Sequence, residues 1–249
     1  MQRARRFGSI AVIASLTVVG LSACRSEPSV AAYVGDTSRI TEERVQEVWD
    51  DAFTALQGQA AEQPAASAAA VTLPITRSDI VRTLVGNDVL SEVAKRQSVT
   101  LPADVPLGDY ATQLRLPQAA QYVRLYAESD TLIRALRTKV QTSAPAPSDA
   151  DLREVFDVLV SAQEVPAGTP FEQFKTQLPA ENLQLVKTAA AVRNEVAEVT
   201  DKMRITVNPR YQPLGIPVLE FQTQNGALRP LINVPLGATT NGDPVTDVS

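Results

Sequence analysis

The chain has 249 residues, with 23 Lys and Arg against 28 Asp and Glu and a formal net charge of −5. It contains no histidine and one cysteine, which excludes imidazole bases, imidazole metal ligands and any internal disulfide, so neither a metal nor an organic cofactor is expected. An acidic chain also lacks the basic footprint that displaces counterions from phosphate, so nucleic acid is not an expected partner.

The chain opens with Arg3, Arg5 and Arg6, continues with an uncharged stretch from Phe7 to Gly20, and reaches Leu21-Ser22-Ala23-Cys24. Basic, apolar and cleavage regions in that order read as an export signal. The apolar stretch is about fourteen residues, whereas a helix needs roughly 20 to span a bilayer. Leu-Ser-Ala-Cys resembles the lipobox of bacterial lipoproteins. That resemblance implies diacylglycerol on Cys24, removal of residues 1–23, and an extracytoplasmic protein tethered to the membrane through its lipid. Losing three arginines takes the net charge from −5 to −8 over the remaining 226 residues.

After a short tether (24–29), Val30–Val34 favours a strand, Gly35-Asp36 supplies a turn, and Thr41 stands before Glu42-Glu43 as a helix cap. In the helix that follows, Val45, Val48, Trp49, Ala52, Phe53 and Leu56 recur at three- and four-residue steps, forming one apolar stripe that carries the only tryptophan. Such a stripe is core in most proteins. If it faces a cleft, Val45, Val48, Trp49, Phe53 and Leu56 are the candidate contacts for an unfolded client. Residues 57–73, rich in Ala, Gln and Ser, read as a flexible loop.

A second helix opens at Ser78-Asp79 and ends near Gln97. Pro102 and Pro106 then break the chain before a long helix beginning near Pro117. Ser148 with Asp149 and Asp151 starts a fourth helix, Thr169-Pro170 a short one, and Pro179-Ala180 one that runs to Met203. Beyond Arg204 the pattern turns to alternation through Ile205 and Val207, and Asn208-Pro209-Arg210-Tyr211 reads as a turn that pins the returning chain to the helices. Val218–Phe221 and Leu228–Val234 flank Asn225-Gly226, a hairpin signal, with Pro230 confining the second arm to an edge. A disordered tail is expected from 236 onward. The fold class is therefore mainly α (α+β): a helical body over 30–212 whose N-terminal strand pairs with a C-terminal strand, followed by a hairpin and tail over 213–249.

Little in the sequence points to catalysis. Adjacent acids such as Asp50-Asp51 lie about 100° apart on a helix and do not flank one bond. Asp149 and Asp151 lack the glycine and distal glutamate of a calcium loop, and no phosphate-binding glycine motif is present. The order of elements resembles the N-terminal domain of the SurA and PrsA class of extracytoplasmic chaperones. The residues carrying this are Val30–Gly35, Ile40-Thr41, Thr76–Ile80 through Ala94-Lys95-Arg96, and Pro147–Leu152. Where that family inserts a parvulin domain, Phe156 to Met203 is short and helical by pattern, and the parvulin histidines are absent. Gly168–Phe171 resembles one parvulin turn, which does not carry isomerase activity with it. The resemblance implies a non-enzymatic holdase for unfolded or exported polypeptides. The alternative is an envelope scaffold binding one folded partner through the 213–249 segment. A small-ligand lipoprotein of a transport system ranks last, because alternating strand and helix patterns are missing.

Overall fold

The computed structural model describes residues 29–61, 71–223 and 226–236. Cys24, the export signal, most of the 57–73 segment, Asn225 and the tail beyond Leu236 lie outside the described residues. The order is β1 (Val30–Val34), β2 (Ser38–Thr41), α1 (Glu42–Ala61), α2 (Arg77–Arg96), α3 (Leu107–Leu114), α4 (Gln121–Lys139), α5 (Asp149–Ser161), α6 (Phe171–Gln177), α7 (Ala180–Met203), β3 (Thr206–Val207), β4 (Leu214–Gln222) and β5 (Leu228–Leu236). The class is mainly α with small antiparallel sheets, as the periodicity indicates.

Local chemistry sets the helix starts. Thr41 Oγ1 accepts from the Arg44 amide at 3.1 Å, capping α1. Thr76, two residues ahead of the expected start, forms a capping box with Asp79, and Ser148 forms another with Asp151. Pro170 and Pro179 precede α6 and α7. Two boundaries differ from expectation. Helix α1 continues through Gln57–Ala61, because alanine and glutamine are good helix formers as well as common loop residues. Helix α3 was not expected between Pro106 and Pro117. Pro106 ends one segment and stands at the N-cap of the next, while Tyr110 anchors the short helix from a buried position.

Strand β1 is the centre of a three-stranded antiparallel sheet, β2-β1-β3, so the two ends of the helical body meet there. The Asn208–Tyr211 turn acts as the expected pin. Asn208 donates to the Val30 carbonyl, Tyr211 Oη donates to Glu42 Oε2 at 2.7 Å, and Arg210 pairs with the same carboxylate.

Strands β4 and β5 form a separate two-stranded sheet with Leu214 opposite Leu236 and Gln222 opposite Leu228. Strand β4 packs on α2 and α7, and β5 packs on α5 and α7. Leu214, Ile216, Val218, Leu219, Ile232, Val234 and Leu236 are buried in the same core as the helices. The hairpin is therefore part of the helical body, and the expected division at 212/213 is corrected: the two parts share one apolar core. Gly215 leaves room for the Asn233 side-chain amide, which a Cβ at this position would overlap.

Candidate functional site

Of the stripe on α1, Val45 and Val48 are 0% exposed. They are core, a correction to their reading as client contacts, because α1 packs this face onto α2 and α4. Trp49, Phe53 and Leu56 are half-buried at the rim of that contact. Trp49 is further covered by the Arg77 guanidinium, 4.4 Å from its ring centroid, and that guanidinium is held by Gln46 Oε1 at 2.9 Å. Trp49 is thus covered by the chain's own side chains, while Phe53 and Leu56 keep part of their surface exposed.

An open site lies between α2, α4 and the hairpin. The cavity there has a volume of about 290 Å³. The buried Leu90, Ile133, Ile216 and Val218 form its floor, and the more exposed Leu185, Phe221 and Leu228 form its apolar border. Gly86 of α2 provides the room: a Cβ at this position would stand 3.9 Å from both Ile216 and Ser129, at ordinary contact distance.

Tyr122 and Tyr126 of α4 line one end. Tyr126 lies edge-on to Tyr110, with centroids 6.0 Å apart, and beside Tyr122 at 6.3 Å. Tyr126 Oη donates to Glu220 Oε2 at 2.7 Å. Burial raises the Glu220 carboxyl above its ordinary value, an effect the Tyr126 hydrogen bond partly opposes. Burial also pushes the Tyr122 and Tyr126 hydroxyls well up, so both stay protonated and able to donate. Tyr110 Oη donates to Asp130 Oδ2 at 2.6 Å, and Arg134 Nε approaches the same oxygen at 2.5 Å.

The wall formed by β4 is unusual. Seven consecutive residues, Ile216 to Gln222, border the cavity. Regular alternation is broken here by register shifts at Pro217/Leu219 and Leu219/Glu220, which lets neighbouring residues border one cavity. Strand β4 pairs only with β5, and no main-chain hydrogen bond joins residues 214–222 to any other described segment. An antiparallel strand directs about half of its N–H and C=O groups away from its partner. Of this wall Ile216, Val218 and Leu219 are buried, and Pro217 with Glu220, Phe221 and Gln222 keep exposed surface.

Two further depressions adjoin this cavity through shared lining residues. One, of about 400 Å³, shares Arg82, Tyr122, Tyr126 and Glu220 and reaches the hairpin turn at Gly226. The other, of about 330 Å³, shares Arg134, Arg137 and Leu185 and lies between the end of α4 and the start of α7. Together they make a groove running along α4.

The sequence reading missed this site. Glu220 within Val218-Leu219-Glu220-Phe221, a charge inside an apolar run, was its one local signal. Nothing in the spacing brings Tyr126, 94 residues earlier, to that carboxylate. Among the described residues no group of three or more His, Cys, Asp or Glu is placed to hold a metal, and no helix is long and apolar enough to cross a membrane. No protein-family model, curated protein or solved structure matches this chain.

Proposed function

We propose that this protein is a non-enzymatic, holdase-like chaperone, lipid-anchored through Cys24 on the extracytoplasmic side of a membrane, that holds unfolded or exported polypeptides in extended form. The observation that carries the reading is the groove along α4, where the half-buried Tyr126, Phe221 and Leu228 and the exposed Leu185 border one cavity. An extended segment laid in such a groove gains apolar contacts that do not depend on one particular sequence. That combination suits a binder of many clients. The export signal, the lipobox and the chaperone-like order of elements support the same reading. The scaffold alternative loses its separable 213–249 module, because the hairpin belongs to the core.

The test is suppression of aggregation of reduced, unfolded clients by near-stoichiometric full chain. The native chain should slow aggregation, Gly86→Phe should lose the effect by filling the cavity, and Trp49→Ala should keep it. Absence of any effect across several unrelated clients would overturn the reading. The anchor is tested separately: Cys24→Ala should release the protein from membranes, and unchanged retention would refute lipidation.

A further inference from the structure

We propose that the cavity between α2, α4 and the hairpin binds a small neutral amphiphile, a single aliphatic chain ending in a hydroxyl, with the chain on the apolar floor and the hydroxyl at Glu220. The inference does not rest on the holdase reading, since it assigns a free small molecule to this space.

Size and lining set the chain. At about 290 Å³ the cavity is close to twice an apolar space that takes up one benzene, about 150 Å³. It also lies near the lower end of the range for small-ligand sites, roughly 300–1,000 Å³. That is room for on the order of ten non-hydrogen atoms. The floor side chains Leu90, Ile133, Ile216 and Val218 are aliphatic and carry no polar atom. Gly86 keeps the space above them open, with Ile216 and Ser129 as the nearest atoms to its Cβ position, both at 3.9 Å.

Glu220 supplies the polar end. Its Oε2 accepts from Tyr126 Oη at 2.7 Å, and no other hydrogen bond or ion pair reaches this carboxyl among the described residues. The fully buried side-chain oxygen that lacks a partner among those residues is Glu42 Oε1. Glu220 Oε1 is therefore accessible, on a side chain that borders both the cavity and the depression beside it.

The neutral head follows from the charges around these two spaces. Asp79 pairs with Arg82 and Asp130 with Arg134, while Arg115, Arg137 and Glu220 make no ion pair among the described residues. Arg137 lies in the opposed fields of Arg134 and Asp130. An ammonium head at Glu220 would be opposed by Arg82, and a carboxylate head by Asp79, Asp130 and Glu220 itself. A hydroxyl meets neither opposition. Burial also holds the Glu220 carboxyl above its ordinary value, so it keeps a proton further up the pH range. A hydroxyl both donates and accepts, and pairs with either form of the carboxyl.

The experiment is calorimetric titration of the full chain at neutral pH with 1-octanol, octanoate and octylammonium, which share one chain and differ in the head. Octanol should bind about tenfold tighter than either ion, which would bring an uncompensated charge into the cavity. Glu220→Leu, which removes the acceptor, should weaken octanol about three- to tenfold, the worth of one hydrogen bond, and narrow its advantage over octanoate. Glu220→Gln keeps an acceptor and should bind octanol as the native chain does. Gly86→Leu fills the space from the opposite wall and should abolish octanol binding; a cooperative thermal transition shows that each variant is folded. Either ion binding the native chain as tightly as octanol would overturn the neutral head. Octanol binding left unchanged by both Glu220→Leu and Gly86→Leu would overturn the location. No binding of octanol by the native chain would overturn the site and leave the holdase reading, which is tested by aggregation, standing.

Discussion

The α1 stripe and the β4 edge are both apolar surfaces, and the fold treats them in opposite ways. On α1 every main-chain group in the helix interior is satisfied within the helix. The stripe needs only apolar neighbours, which α2 and α4 provide until Val45 and Val48 are fully buried. Trp49, left at the rim, is covered by Arg77. On β4 Ile216, Val218 and Leu219 are buried in the same way, but at the border of the cavity Tyr126, Phe221 and Leu228 stay half-buried and Leu185 of α7 is exposed. A strong amphipathic stripe thus marks where a chain packs on itself, whereas apolar side chains left uncovered around a cavity mark where it can receive something else.

Four changes would break or sharpen this contrast, and the largest effect belongs to the hairpin. Deleting residues 213–249 removes seven buried apolar side chains, each contributing about 1.5–3 kcal/mol. Their sum, about 10–21 kcal/mol, is as large as the roughly 5–15 kcal/mol net stability of an ordinary domain. The truncated chain should lose its cooperative thermal transition; a preserved transition would mean that the hairpin is a separable module after all.

Next comes the α1 face. Val48→Ala should cost about 2 kcal/mol by denaturant unfolding, through lost burial and the cavity left behind. Trp49→Ala should cost about 1–2 kcal/mol, because it is half-buried and loses its cation–π contact. Neither should change peptide affinity. A tenfold loss of binding with Trp49→Ala would return the site to α1.

Gly86→Ala should have a smaller effect and the opposite sign. The added methyl meets Ile216 and Ser129 at ordinary contact distance, and alanine favours a helix interior by about 0.5–1 kcal/mol. Stability should rise by that amount in denaturant titrations, while peptide binding falls slightly as the cavity narrows.

The smallest effect is a pH dependence read from two carboxylates. Burial raises Glu220, so between the ordinary carboxylate value and its raised value the folded chain holds a proton that the unfolded chain has released. Stability contributed at this site therefore falls as pH rises through that window and is level above it. Glu220→Gln, which still accepts from Tyr126, should flatten that slope. Asp151 behaves in reverse. Burial pushes it up, but hydrogen bonds from Ser148 and Arg193 outweigh this and hold it below the ordinary value. Its stabilisation is present above the ordinary carboxylate value and is lost as pH falls through its lowered one. Thermal midpoints across the acid range for Glu220→Gln and Asp151→Asn separate the two slopes.

Much of the fold was legible residue by residue, because its signals are local. Thr41, Ser148-Asp151, Pro170 and Pro179 each act on the turn of helix they begin, and the apolar periods of α2, α4 and α7 show which faces are buried. The change to alternation after Arg204 and the pin at Asn208–Tyr211 were readable for the same reason. Helix α3 and the end of α1 were not, since proline and alanine-rich stretches suit either a break or a helix until packing selects one. By itself the sequence determined the helical class, the acidic charge, the absence of imidazole and the order of elements apart from α3, all of which follow from composition and short-range periodicity. The tertiary structure alone decided which apolar surface is covered and which is open. That choice depends on pairings such as Tyr126 with Glu220 and Gly86 with Ile216, formed between segments far apart in the chain, where no local period records the contact.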